Sequence, residues 1–90
     1  MNKPTKSLDE AIEMFENDHY DDIFDIFYYN AAYLKNDEAQ YFLGILYHDG
    51  LGIDKDIEQA LYWWKKSSKQ RNEDANFMLQ TYESSTFCRC

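Results

Sequence analysis

Shifted by 36 residues, this chain falls onto its own pattern. Ala31, Ala32, Asn36, Glu38 and Ala39 land on Ser67, Ser68, Asn72, Asp74 and Ala75, while Phe27 lands on Trp63 and Leu43 on Leu79. The pairs preserve size class and polarity more than identity, the mark of one supersecondary unit used more than once. Such a period holds two helices and their corners, so the chain reads as about two and a half helical hairpins.

The local signals agree. In "SLDEAIEMF", Ser7 and Glu10 make a capping box ahead of Ala11, Ile12, Met14 and Phe15, predicting a helix from about Leu8 to Asn17. In "YDDIFDIFYYNAAYL", Ile23, Phe27, Ala31 and Leu34 recur at helical spacing, with Phe24 and Ile26 widening the stripe and an end expected near Lys35 and Asn36. A third helix opens at Asp37 and aligns Ala39, Leu43, Leu46 and Tyr47. A fourth aligns Ile57, Ala60, Leu61, Trp64 and Ser68, with Asp56 and Gln59 as its expected capping box, and "DANFMLQTYE" predicts a fifth. Five short helices with short corners give an all-α antiparallel stack, a short α-solenoid. Residues 7–83 are expected to form its single domain, between a flexible N-terminus at 1–6 and a tail at 84–90.

Ninety residues bury only about 60–65% of the unfolded surface, which leaves little room for a large enclosed cavity. Aromatic residues make up 18% of the chain, a load that argues for a folded core and leaves rings for a partner. The net charge of −8 disfavours nucleic acid and anionic membrane as ligands and favours a basic protein. The excess is uneven. Residues 1–34 hold eight acids against Lys3 and Lys6, whereas the remainder holds nine acids and seven bases. No apolar run reaches the roughly 18–20 residues of a membrane span, and acids stand where a signal peptide needs an apolar core, so a cytoplasmic protein is expected. Cys88 and Cys90 lie too close to the chain end to staple a fold, and a frayed tail with two free thiols is expected there.

The stretch "AQYFLGILYHDGLGIDKDIEQALYWWKKSS" resembles a Sel-one-like repeat, a relative of the tetratricopeptide repeat. Ala39, Leu43, Gly44, Tyr47, Gly50, Gly52, Ile53, Asp56, Ala60 and Trp63 stand where that family's pattern expects such residues. The resemblance implies stacked helix pairs, a protein-binding role, and Trp63 as the structural member of the Trp63–Trp64 pair, while helix geometry, which points adjacent rings about 100° apart, leaves the other to cap the seam or to be partly exposed. The family places glycine where Lys35 and Arg71 stand. Asn36 and Asn72 are therefore expected to take the left-handed conformation instead.

No constellation points to catalysis. "GILYHDGLG" holds all three glycines, but no strand precedes it and acids flank it, so it reads as a corner and not a phosphate cradle. His48 and Asp49 are adjacent in that corner, are not expected to share a side, and have no Ser or Cys nearby in sequence. His19 and His48 lack the spacing of a helical metal pair, and "DKDIE" lacks the glycine and final glutamate of a calcium loop. Neither metal nor cofactor is expected.

Two readings of "HYDDIFDIFYYN" stay open: a solvated acidic face with core-edge tyrosines, or a binding face. As a binding face, Asp21, Asp22 and Asp25 would steer a basic partner and Tyr28 and Tyr29 would anchor it, with Tyr41 and His48 as a second candidate surface. The expected function is non-enzymatic protein binding, most concretely an acidic stoichiometric inhibitor such as an immunity protein neutralising a basic bacterial toxin. An adaptor in a signalling or assembly complex is the alternative. A hydrolase of the β-lactamase-like relatives is more remote, since the cysteine pairs of those relatives are missing.

Overall fold

The computed structural model describes residues 6–20 and 22–87. Its helices are α1 (Leu8–Glu16), α2 (Ile23–Ala32), α3 (Asp37–Asp49), α4 (Ile57–Lys69) and α5 (Glu73–Phe87), with no strand among the described residues. Each helix packs chiefly on its neighbours in the chain, α3 against α4 most extensively. The all-α hairpin stack is therefore the fold.

The capping box of α1 is complete, Ser7 Oγ accepting from the Glu10 amide and Glu10 accepting from the Ser7 amide. At α4 only half of the expected box forms, Asp56 accepting from the Gln59 amide. α2 stops at Ala32, short of the expected end, because Tyr33, Leu34 and Asn36 fold back onto the carbonyls of Tyr29 and Asn30. α5 continues to Phe87, into the stretch expected as a tail.

The joints after α2 and α4 overturn one expectation. Lys35 (φ 54°) and Arg71 (φ 70°) take the left-handed conformation themselves. The asparagines are occupied elsewhere: Asn36 is extended and its Oδ1 accepts from the Ala39 amide, and Asn72 Oδ1 accepts from the Ala75 amide, each at 2.9 Å. An N-cap needs extended backbone, so it cannot also supply the left-handed residue.

Trp63 is a core ring as expected, and of the two alternatives for Trp64 the seam and not partial exposure is what forms. Both are buried, Trp63 at 6% exposure and Trp64 at 1%. Successive side chains on a helix diverge by about 100°, and α4 has a packed neighbour on either flank. Trp63 joins the core built on Phe27, Ala31, Ala39 and Leu43, while Trp64 joins the core of Ala60, Ala75 and Leu79. Their neighbour Ser67, not Ser68, completes the buried stripe and donates to the Asp37 carbonyl at 2.7 Å.

Glycines act at two kinds of place. Gly50 (φ 70°) ends α3 in the left-handed conformation, and Gly52 (φ 76°) lies so close to Tyr20 that a Cβ would sit 2.7 Å from its carbonyl oxygen. The corner of the second hairpin thus presses on that of the first. Gly44 admits the Trp64 indole, whose Nε1 donates to the Tyr41 carbonyl at 3.1 Å.

Candidate functional site

The sequence-predicted residues come to lie on three separate surfaces. The first is acidic: Asp22 and Asp25 of α2 are exposed, as are Asp9, Glu10, Glu13 and Glu16 of α1 and Asp18 in the turn between them. None of these carboxylates forms an ion pair among the described residues. Asp21 lies outside the described residues, as do Cys88 and Cys90. Tyr29, half-buried, packs on exposed Tyr33 at a centroid distance of 5.4 Å. Tyr20 donates to Asp18 at 2.8 Å, and this hydrogen bond holds its phenol above the ordinary value.

The second surface is the α3 stripe carrying Tyr41 and His48, which leans on α4. His48 packs against Trp64 at 5.5 Å, and its Nδ1 lies 2.8 Å from Asp49 Oδ1. The adjacent pair does share a side, contrary to expectation: His48 lies against the Trp64 ring and turns its Nδ1 to Asp49 at the end of α3. Among the described residues, no Ser or Cys side chain hydrogen-bonds to this pair. No group of three or more His, Cys, Asp or Glu residues there is placed to hold a metal ion. No helix of the described residues is long and apolar enough to cross a membrane.

The third surface is a cleft of about 830 Å³ between α2 and α4, floored by α3. Tyr28 enters here, turned away from Tyr29 and edge-on to Trp63 at 6.0 Å. Tyr62 stands edge-on to the other side of Trp63 at 5.0 Å and carries the Lys66 ammonium over its ring at 5.3 Å. Lys35 and Lys69 line the same cleft, while Asp56 lies at the start of α4. None of the three lysines is ion-paired among the described residues. Gln70 fixes their end of the cleft by donating to the Lys35 carbonyl at 2.9 Å and to Gln40 Oε1 at 3.0 Å. Gln40, itself buried, donates onward to the Ala31 carbonyl at 3.2 Å. Trp63, which lines the cleft, has an indole Nε1 that is buried without a partner among the described residues, which costs about 1–3 kcal/mol. Burial raises the Tyr47 phenol on the cleft floor, with Tyr28 and Asp56 adding to the effect.

Sequence reasoning placed Tyr28 on the acidic face and gave Lys35, Lys66 and Lys69 no part in a site. One signal was present: Asp56, Gln59, Trp63, Lys66 and Gln70 recur every three or four residues and form one stripe of α4.

No curated protein matches the chain, and no solved structure does. The family model for the Sel1 repeat matches residues 37–72, which are α3, the glycine corner, α4 and the joint ahead of α5. The central hairpin, residues 37–72, is therefore similar to the Sel1 repeat, the family the sequence resembles.

Proposed function

We propose that this chain is a non-enzymatic protein-binding module acting as an acidic stoichiometric inhibitor, of the kind that masks a basic toxin or effector domain. The observation carrying this reading is the unpaired acidic surface of α1 and α2, from Asp9 to Asp25, next to the Tyr29–Tyr33 pair. Carboxylates without countercharge accelerate encounter with a cationic partner, and tyrosines supply anchoring area at low entropy cost. The Sel1 repeat supports a protein partner. The His48–Asp49 pair, to which no Ser or Cys side chain hydrogen-bonds among the described residues, favours binding over catalysis.

The test uses the product of the adjacent reading frame as partner. Co-expression should restore growth that the partner alone arrests, and the purified proteins should form a one-to-one complex. Asp22→Asn with Asp25→Asn should slow association and flatten its salt dependence, because exposed charges act mainly on encounter. Parental association by that variant at low salt would place docking elsewhere. A second reading, the adaptor, is favoured by the lysine-lined cleft, since two surfaces of opposite charge suit two partners. A stable ternary complex without growth protection would select it.

A further inference from the structure

We propose that the cleft between α2 and α4 binds a short acidic segment of a partner protein. Its carboxylates would meet Lys35, Lys66 and Lys69, and its apolar side chains would lie on Tyr28, Tyr62 and Trp63. The proposal rests on the protein-binding reading of the chain but is independent of the acidic α1–α2 surface.

Charge is the first ground. In a chain of net charge −8, three lysines converge on one cleft and none is neutralised among the described residues. Shape is the second. The α4 rim from Asp56 to Lys69 spans about 20 Å at the helical rise, enough for about six residues of extended chain. Order along the rim is the third: acid at the helix start, aromatic rings in the middle, ammonium groups at the end. That order polarises the occupant, apolar residues at its centre and carboxylates toward Lys66 and Lys69.

Other occupants fit less well. The segments 1–5 and 84–90 carry Lys3 and Arg89 and no Asp or Glu side chain, so neither matches the lysines of the cleft. A long nucleic acid would meet the lysines only by running past a surface of like charge, whereas a short peptide stays within about a Debye length, ~8 Å, of them.

The experiment is fluorescence polarisation with a labelled hexapeptide, Gly-Leu-Phe-Glu-Glu-Glu. Parallel arms use its lysine counterpart, Gly-Leu-Phe-Lys-Lys-Lys, and a uridine hexanucleotide. The proposal expects saturable binding of the acidic peptide alone, with a change in tryptophan fluorescence. Lys66→Glu with Lys69→Glu should weaken it by roughly tenfold or more. These lysines are exposed, so the variant should melt like the parent. Asp22→Asn with Asp25→Asn should leave peptide binding unchanged, so failure of the cleft and failure of the acidic surface are read separately. No binding at about 1 mM peptide, or binding indifferent to charge reversal, would overturn the proposal. So would tighter binding of the hexanucleotide, or concentration-dependent self-association that the reversed lysines abolish, which would make a second copy the occupant.

Discussion

Single residues decide how the hairpins join. Lys35 and Arg71 stand 36 positions apart with the same left-handed backbone, each followed by an asparagine that caps the next helix. A side chain in this conformation is strained by roughly 1 kcal/mol relative to glycine, and neither Lys35 nor Arg71 makes a side-chain hydrogen bond among the described residues to offset it. Lys35→Gly and Arg71→Gly are therefore each expected to stabilise the fold by up to about 1 kcal/mol, measured as raised thermal midpoints. Asn36→Ala should do the opposite by about 1 kcal/mol, through the lost N-cap. If the asparagine held the left-handed position, as its residue type led one to expect, Asn36→Gly would stabilise and Lys35→Gly would not. Residue type alone could not choose between the two because asparagine suits both tasks. The choice is made by the Ala39 and Ala75 amides, which need an acceptor.

Within elements, the helices were legible in the sequence while their contacts across the stack were not. Caps and periodicity are local, so Ser7, Glu10 and the Ala39–Leu43–Leu46 stripe announce α1 and α3 directly. The fate of the adjacent tryptophans depends on which neighbours α4 has, and Trp64 is buried between α3, at Gly44 and His48, and the Ala75 and Leu79 side chains of α5. Trp63→Ala is expected to cost about 3–5 kcal/mol and Leu43→Ala about 2–5 kcal/mol by lost burial and cavities. Melts of both variants within a degree or two of the parent would contradict this packing. The tyrosines of α3 add a pH dependence. Burial raises the phenols of Tyr41 and Tyr47, with Asp74 adding to the first and Tyr28 and Asp56 to the second. The unfolded chain releases these protons near pH 10, the folded state only above it. Their contribution is therefore complete below about pH 10 and is lost as pH rises through the raised folded values. Neither phenol donates a hydrogen bond among the described residues, so Tyr41→Phe with Tyr47→Phe removes none. Urea melts on either side of about pH 10 should show a shallower alkaline loss in that variant than in the parent. An unchanged slope would assign the loss to other groups.

On the scale of the whole molecule, stability and charge are distributed along the stack in opposite directions. The cleft was invisible in the sequence because Tyr28 and Lys66 meet only after α3 spaces α2 from α4, a relation with no local signature. The acidic surface was legible because its residues are consecutive on α1 and α2. The first of those helices is also where packing is thinnest: α1 rests mainly on α2, whereas α3 and α4 share the most extensive contact and have neighbours on both sides. Gln40 and Gln70 tie the middle further, linking Ala31, Lys35 and the α3–α4 pair through the buried amide of one and the exposed amide of the other. In a stack whose units contact only their neighbours, local opening follows the nearest-neighbour interfaces, so the end helix opens before the centre. Carboxylate repulsion along α1 and α2 lowers that opening cost again, and salt screens it over about 8–10 Å. Native-state hydrogen exchange at low salt is thus expected to show α1 amides exchanging on the order of 10–100-fold faster than those of α3 and α4. Added salt should narrow the gap by slowing α1. Uniform exchange across all helices would mean that the chain opens as one unit. A gap indifferent to salt would leave packing alone, and not charge, as the reason the acidic end is the loose one.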